Sequence, residues 1–243
     1  MKASHSKSPA IQIERLSKSF GGPPVLHDFN LEVGWGELFV LLGGNGSGKT
    51  TLVKLLATLA RPDSGVIRIA GWDSQRHGSM VRQSIGVVGH EPFLYDALTG
   101  YENLQFYGRM YQVSDLHQRI LFLANQLQIN SVLSARVKTL SHGMQKRLSL
   151  ARAMLHNPSV LLLDEPETGL DHKALEILDT LLYQLRYVSK TVLMTTHNLD
   201  RALRLASHIA ILARGRITFH EQLDTLNVTA FRSRFANLLI EEP

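Results

Sequence analysis

The stretch that decides the fold of this chain is Gly43-Gly44-Asn45-Gly46-Ser47-Gly48-Lys49-Thr50-Thr51. Two of its glycines bracket four residues ahead of Lys-Thr, which is the G-x-x-x-x-G-K-[ST] pattern of a phosphate-binding loop. In such a loop successive backbone N–H groups surround phosphate oxygens, and glycines keep side chains out of their way. A short apolar run, residues 38–42, precedes the loop, and residues 51–56 have helical spacing. Because this order of strand, loop and helix is the context that the pattern requires, we predict a phosphate site here.

Two side chains of the loop have a predicted chemical role. Lys49 is placed to reach the β- and γ-phosphates of a nucleoside triphosphate, and the Thr50 hydroxyl can ligate Mg²⁺. The partial positive charge at the N-terminus of the following helix adds to the attraction for phosphate. The alternative, a glycine-rich turn before an ordinary helix, does not account for the whole pattern in this context.

Composition excludes several classes of protein. With 243 residues, of which 44% are hydrophobic and 19% charged, the chain can bury the core of one large domain. No apolar run approaches the roughly 18 residues that span a bilayer, and residues 1–8 have no apolar segment behind their lysines. The absence of cysteine excludes disulfides and thiolate chemistry, and it fits a reducing compartment. The net charge of +5 is modest and spread along the chain, which favours a generic basic surface over a nucleic-acid site.

A second strong signal lies at residues 160–166, where four apolar residues are followed by Asp164, Glu165 and a proline. This pattern predicts a buried parallel strand that delivers two acids to its carboxyl end, where open α/β sheets bind ligands. We predict that Asp164 holds Mg²⁺, directly or through water, and that Glu165 polarises a water for attack on the γ-phosphate. Two solvated acids at an exposed strand end are the alternative.

Three further segments allow two interpretations each from their residues alone. Phe20 lies on a turn, where its ring could stack on adenine or plug the edge of the sheet. Ser141 and Gly143 open a helix, as a second anion-binding helix end or with Ser141 as a plain N-cap. His197 follows an apolar strand and could contact a γ-phosphate or be a solvated or capping residue.

The remaining pattern predicts an α/β fold, with a P-loop NTPase core, an N-terminal antiparallel β-subdomain and an inserted α-helical lobe. Alternating strands are predicted at residues 11–16, with the character of an edge strand, and at 25–33 and 66–70. Helices are predicted at about residues 99–110 and 114–129, and a hairpin at 209–219.

Domain boundaries follow from the same pattern. We expect a flexible N-terminus over residues 1–9, a main domain over 10–220 with its helical lobe at about 91–157, and a tail of short helices over 221–243.

With these motifs in this order, the chain resembles the nucleotide-binding subunit of ABC transporters over roughly residues 10–220. The most specific element is Leu140-Ser141-His142-Gly143-Met144, which is similar to the family's L-S-G-G-Q signature. His142 replaces the first glycine and Met144 replaces the glutamine, whereas the serine and the second glycine are kept.

The resemblance implies ATP and Mg²⁺ as ligands and gives each matching residue a role. It makes Phe20 the adenine-stacking aromatic, Glu165 the catalytic base, His197 the switch histidine and Asp171 a residue of the D-loop. Lys49 joins Glu165 and His197 as a catalytic residue. The implied nucleotide contacts are Phe20, Gly43, Gly44, Asn45, Gly46, Ser47, Gly48, Lys49, Thr50, Thr51, His90, Ser141, Gly143 and Asp171, and the implied metal ligands are Thr50, Asp164 and His90.

His90 departs from the family pattern, because the family has a glutamine there that ligates Mg²⁺ and links the site to the helical lobe. Imidazole binds metal or water but has a different reach. The Gly89-His90 pair is similar to the haem-exporter ATPase subunits of cytochrome c maturation. Residues 101–108 and 141–145 also look like the less typical members of that subfamily, and many drug, lipid and polysaccharide exporters share these two features.

The resemblance therefore implies an ATPase that works as a dimer, with a second copy of itself or a homologous subunit, and with a separate transmembrane permease. We expect it in the cytoplasm, on the inner face of the cell membrane, powering export, with haem export for cytochrome c biogenesis as the specific hypothesis. The alternatives are a general drug, lipid or polysaccharide exporter and a soluble ABC ATPase acting on nucleic acid or ribosomes. The soluble forms insert a coiled coil between Lys49 and Ser141 or carry two cassettes, and neither feature is present. Glu165 argues against a module that only binds.

Overall fold

Two β-sheets organise the computed structural model, which describes residues 8–241. The strands are β1 (Ile11–Lys18), β2 (Leu26–Val33), β3 (Leu38–Leu42), β4 (Ser64–Ile69), β5 (Trp72–Asp73), β6 (Ile85–Val88), β7 (Val160–Asp164), β8 (Thr191–Thr196), β9 (His208–Ala213) and β10 (Arg216–Gln222). The smaller sheet has the order β2-β1-β4-β5 and is antiparallel. The larger has the order β10-β9-β3-β8-β7-β6 and is parallel except for β10, which pairs antiparallel with β9.

Eight α-helices are described, and they cover both faces of the larger sheet. They are α1 (Lys49–Leu56), α2 (Gly78–Ser84), α3 (Gly100–Met110), α4 (Leu116–Gln126), α5 (His142–Met154), α6 (His172–Tyr187), α7 (Leu199–Leu205) and α8 (Val228–Glu241). Short 3-10 helices lie at Asn130–Val132, Val137–Thr139 and Leu223–Thr225. The predicted α/β class, with an antiparallel sheet near the N-terminus and helices inserted between β6 and β7, is confirmed.

The central strands are apolar throughout because both of their faces are covered. In β3 every residue is buried, and successive side chains point to opposite faces. Phe39 and Leu41 pack in one core with α1 and the smaller sheet. Val40 and Leu42 pack in the other core with α5, α6 and the helical insertion. The carboxyl end of β3 is thereby fixed between two cores, which is where the phosphate-loop sequence begins.

The helical insertion begins with a strong local signal. Thr99 caps α3, its hydroxyl accepting from the Glu102 N–H while the Glu102 carboxylate accepts from the Thr99 N–H. The helix predicted at 99–110 is confirmed. The helix predicted at 114–129 is shorter, because Asp115 has a left-handed backbone (φ 47) and α4 ends at Gln126.

Two expectations about the ends of the fold were wrong, and one helix was missed. β1 is an interior strand between β2 and β4, so its alternation reflects a half-buried sheet face. The tail contains one helix of 14 residues, α8, after a single 3-10 turn. Helix α2 was not predicted. The expected flexible segment, residues 1–9, lies mainly outside the described residues.

Within residues 8–241, no helix is both long enough and apolar enough to cross a membrane.

Candidate functional site

A cleft of about 900 Å³ opens at the carboxyl ends of β3, β6 and β7. Its walls combine the phosphate loop, the start of α1, the segment after β6 and the two acids after β7. The residues that line it include Asn45, Gly46, Gly48, Lys49, Thr50, Thr51, Gly89, His90, Phe93, Asp164 and Glu165. The structure therefore brings the two strongest sequence signals, the glycine-rich loop and the paired carboxylates, into one site.

Two glycines of the loop are required by its geometry. A Cβ on Gly43 would lie 2.5 Å from the carbonyl oxygen of Leu212, which is closer than real Cβ contacts. Gly48 has φ 109, which side chains rarely adopt, and a Cβ there would lie 3.1 Å from the Val25 carbonyl oxygen. Helix α1 begins directly after Gly48 with no side-chain cap, so its first N–H groups remain available to an anion at the cleft.

Lys49 is the first residue of α1, and only 5% of it is exposed. Its ammonium donates to the carbonyl oxygens of Gly43 and Gly44, at 2.9 and 2.8 Å. The loop thus folds around its own lysine, which holds the positive charge at the floor of the cleft. A buried ammonium with backbone partners and a cleft on one side fits a phosphate ligand.

The two acids after β7 occupy different environments. Asp164 is 3% exposed and accepts a hydrogen bond of 2.6 Å from the Thr195 hydroxyl on neighbouring β8. Glu165 has a left-handed backbone (φ 44), held by its N–H, which points to the carbonyl and hydroxyl oxygens of Thr195. The strand therefore turns sharply between the two residues, burying one carboxylate and leaving the other partly exposed in the cleft.

The Glu165 carboxylate lies between the ammonium of Lys49 and the imidazole of His197. One oxygen is 3.5 Å from Nζ of Lys49, and the other is 3.3 Å from Nδ1 of His197. The His197 side chain is 55% exposed, in the loop between β8 and α7. A carboxylate oriented by an imidazole and placed beside a phosphate-binding lysine is the arrangement that general-base attack of water on a phosphoryl group needs.

The site fits a nucleotide-bound Mg²⁺ more closely than a metal held by protein alone. In the described residues, no group of three or more His, Asp and Glu side chains is placed to bind an ion. Mg²⁺ is typically held by one or two protein oxygens together with substrate phosphates and waters. The Thr50 hydroxyl and the Asp164 carboxylate border the cleft and are donors of that kind. The buried hydroxyl of Ser47, which also belongs to the phosphate loop, has no hydrogen-bond partner within the described chain.

Several predicted nucleotide contacts do not line this cleft in the described chain. Gly43 and Gly44 instead accept hydrogen bonds from Lys49, and Ser47 is buried in the loop at 5% exposure. Phe20 is 65% exposed on its turn, with the Lys18 ammonium 5.1 Å from its ring centroid. Ser141, Gly143 and Asp171 lie at the starts of α5 and α6, away from the loop.

The starts of α5 and α6 pack against each other. Ser141 caps α5 by accepting from the Met144 N–H, and Asp171 caps α6 by accepting from the Ala174 N–H. Between them, the His142 ring lies against Gly169, where a Cβ would be 2.4 Å from Cδ2 of the imidazole. The capping interpretation of Ser141 is therefore present in the structure, and the half-buried Gly143 lies beside the exposed Ser141 and His142.

Sequence reasoning missed three residues around the acids. Thr195, which holds Asp164, and Thr196, whose hydroxyl donates to Glu167, belong to a strand that was predicted for its burial alone. Lys146 on α5 is 4% exposed and donates to the Gly89 carbonyl oxygen at 3.1 Å. The sequence carried no signal for Lys146, which lies opposite the apolar stripe of its helix, where a lysine is normally solvated.

Comparison with known proteins agrees with this geometry. Residues 26–168 match the family described as ABC transporter. The chain is 34% identical over 204 residues to the ABC transporter ATP-binding protein NatA of Bacillus subtilis (strain 168), covering 83% of each. It is 38% identical over 209 residues to the Nod factor export ATP-binding protein I of Paraburkholderia xenovorans (strain LB400), covering 85% of this chain and 69% of that one. A dimeric bacterial ABC transporter cassette superposes with a TM-score of 0.81 at 26% identity, covering 88% of this chain and 98% of that one.

Proposed function

This chain belongs to the ABC transporter family, and from that premise we propose that its ATPase activity powers export through a separate membrane permease. It is an ATP-binding subunit that hydrolyses ATP, with Mg²⁺ as cofactor. The observation that carries the assignment of residues is the position of the Glu165 carboxylate, between the phosphate-loop lysine and His197 at the edge of the cleft.

Each residue of the cleft has a distinct task in this proposal. Lys49 and the N–H groups of the loop and of α1 hold the β- and γ-phosphates. When bound, Mg²⁺ neutralises negative charge on the phosphate oxygens, with Thr50 and Asp164 as its protein ligands. Glu165 accepts a proton from the attacking water, and His197 orients the carboxylate and contacts the γ-phosphate. The carboxylate is 3.5 Å from Lys49, so the base and the phosphate-binding group are adjacent.

Two copies act head to tail in the proposed assembly. Ser141 and Gly143 lie outside the cleft of their own chain, at a helix start where Ser141 is exposed and Gly143 half-buried, and which suits the phosphates of a partner. Because each chain has one phosphate loop and one such helix start, two chains related by a two-fold axis complete two sites. The similarity to a dimeric cassette supports this arrangement. A homologous ATPase subunit could take the place of the second copy.

The membrane partner is a separate permease, and the dimer binds to it at the inner face of the cell membrane. The catalytic domain in this proposal is residues 10–220, the helical lobe at about 91–157 makes the contact with the permease, and the tail over 221–243 is peripheral. Export is supported by the name of the second relative, a Nod factor export ATP-binding protein. We therefore favour a general exporter, whose substrate is a lipid, a polysaccharide or a drug.

Haem export for cytochrome c biogenesis is the second candidate. It rests mainly on the Gly89-His90 pair, which borders the cleft, and on residues 101–108 and 141–145, features that many other exporters share.

Recovery of the permease tests the general proposal. A tagged chain purified from detergent-solubilised membranes should bring down a polytopic membrane protein, and the complex in proteoliposomes should hydrolyse ATP faster when the exported compound is present. Glu165→Gln should abolish that stimulation without releasing the permease. A chain that recovers no membrane protein, and whose ATPase responds instead to nucleic acid or ribosomes, would refute the transport proposal.

A deletion strain separates the two candidate substrates. Loss of holo-cytochrome c, with apoprotein still made and translocated, would establish the haem candidate. Normal holo-cytochrome c, together with ATPase stimulation by a lipid or polysaccharide, would establish the general exporter.

A further inference from the structure

One face of α5 is joined to the end of β6 and to the segment after it by side chains that all donate to backbone carbonyls. Lys146 donates to Gly89 O at 3.1 Å, and Ser149 donates to Pro92 O at 2.9 Å. Arg152, three residues further on, donates to Val87 O. The spacing of three residues places these donors along one helix face, so residues 146–152 of α5 are tied to residues 87–92 at three points.

Of the three donors on this face, Lys146 is the one that interacts electrostatically with the carboxylates at the end of β7 and just after it. Only 4% of it is exposed, and burial lowers its pKa, while the negative charges of Asp164, Glu167 and Glu165 act in the opposite direction. These carboxylates are near enough to interact electrostatically, yet none makes an ion pair with it within the described chain. The ammonium is therefore held by the Gly89 carbonyl oxygen and stabilised by the negative charge of the nearby acids.

A buried lysine at this position has a cost that packing alone does not explain. Burying an ammonium is unfavourable, and apolar side chains of similar volume are often as stable or more stable in such places. The neighbouring core positions of α5, Leu148 and Leu150, are filled by leucine. The charge at Lys146 therefore has a use other than stability.

The contacts of Lys146 indicate that use. Its acceptor, Gly89, borders the cleft together with His90 and Phe93. Its own helix begins at the Ser141-His142-Gly143 segment, whose first two residues are exposed and which serves the partner's nucleotide in the proposed dimer. One side chain thus connects the edge of the cleft with the helix that carries the signature.

We propose that Lys146 is a positioning residue for ATP hydrolysis, which holds the Gly89–His90 loop against the cleft and links its position to that of α5. The inference rests on the proposed roles of Glu165 and of the exposed start of α5. Lys146 does not contact nucleotide in this proposal. It acts through the loop, so its loss slows turnover and leaves ATP binding largely intact.

Lys146→Met in the full chain tests the proposal, because methionine fills a similar volume without charge. Lys190→Met is the matched control, since Lys190 also donates to a backbone carbonyl, Asn157 O at 3.1 Å, but lies far from the cleft. We expect kcat of Lys146→Met to fall about 10- to 100-fold. The affinity for a fluorescent ATP analogue should change by less than about threefold, the signature of an interaction that matters in the transition state. The control should keep the kcat of the wild type.

A double variant provides the readout that a purely structural role would not give. If Lys146 acts through the loop, adding Lys146→Met to His90→Ala should cost little beyond His90→Ala alone. If the two losses multiply, or if Lys146→Met keeps wild-type kcat, the proposal is wrong. Should Lys146→Met not fold, Lys146→Gln carries the same test, because its shorter neutral side chain cannot hold Gly89 in the same way. Failure of Glu165→Gln to slow hydrolysis in the same experiments would instead refute the proposed function.

Discussion

The Oε2 of Glu165 lies 3.3 Å from Nδ1 of His197, while the Oε1 of the same carboxylate lies 3.5 Å from Nζ of Lys49. The base, its orienting group and the phosphate-binding lysine therefore meet at one carboxylate. They come from three separate elements, the end of β7, the loop after β8 and the start of α1. This convergence is what the six-stranded sheet provides, since β3, β8 and β7 are adjacent and end at the same edge.

Glu165→Gln should separate binding from hydrolysis. The amide is nearly isosteric but cannot take a proton from water, so kcat should fall about 10²- to 10⁴-fold while ATP affinity stays close to that of the wild type. An ATP-bound dimer should then accumulate, which light scattering with Mg-ATP would detect. Glu176→Gln is the control, because Glu176 also pairs with a histidine, His172, on an exposed helix face. A monomeric variant at saturating Mg-ATP would count against the prediction.

Lys49→Ala should weaken binding itself. The ammonium is 5% exposed and faces the cleft, so its removal deletes a charge-assisted contact with phosphate. Such contacts are worth a few kcal/mol, which corresponds to a loss in ATP affinity of about 10- to 100-fold. Lys173→Ala, an exposed lysine on α6, should leave the affinity unchanged. Equal affinities of the two variants by calorimetric titration would show that Lys49 does not hold phosphate.

The phosphate loop and the paired acids could be predicted from the sequence because their signals are local. The run 38–42, the glycines and Lys49-Thr50 fix strand, loop and helix within 20 residues, and Asp164-Glu165 lies at the end of one strand. Helix α2 was missed because its seven residues carry a single buried side chain, Val81, and so show no apolar period.

Relations between distant segments could not be predicted in this way. β1 alternates as an edge strand would, but pairing with β4, more than 45 residues later, makes it interior. Lys146 and Gly89 are 57 residues apart, and a lysine on a helix normally indicates a solvated face. The roles given to His90, Ser141 and Phe20 depend on a ligand or a second chain, so they remain predictions.

His90 should be replaceable by glutamine but not by alanine. If it takes the place of the family's glutamine at the edge of the cleft, His90→Gln should keep most of the ATPase activity. His90→Ala should uncouple hydrolysis from transport more than it weakens nucleotide binding. ATPase and transport rates of the reconstituted complex would be measured for both variants. Equal activity and coupling in all three proteins would show that His90 is only a loop residue.

His156 should make the fold less stable in mild acid. Its ring stacks on Tyr111 with centroids 3.9 Å apart, and Nε2 lies 2.9 Å from Ile85 O. Burial lowers its pKa below the ordinary value of 6.5, and nearby Arg152, Arg119 and Lys190 also favour the neutral form.

The sign of the effect follows from where the proton binds. Below pH 6.5 the imidazole of His156 binds a proton in the unfolded chain, whereas in the folded chain its lowered pKa keeps it neutral until the pH is lower still. The free energy of unfolding therefore decreases as the pH falls below 6.5. The loss is at most about 1.4 kcal/mol per pH unit. Urea unfolding of the wild type and of His156→Gln between pH 8 and pH 5.5 should give curves that diverge in acid, with the variant losing less. Parallel curves would contradict the prediction.

Mixed dimers should reveal whether two chains share each site. Gly143→Asp is suited to the test, because a side chain there meets only Cδ2 of Leu170 at 3.9 Å, whereas its charge would repel a partner's phosphate. A dimer of one Lys49→Ala chain and one Gly143→Asp chain has both defects in one composite site and none in the other. Its ATPase rate should therefore exceed that of either variant alone, up to about half of the wild-type rate. Two-tag purification would isolate it, and Gly143→Ala, which adds no charge, is the control. A mixed dimer no more active than its parents would exclude the head-to-tail arrangement.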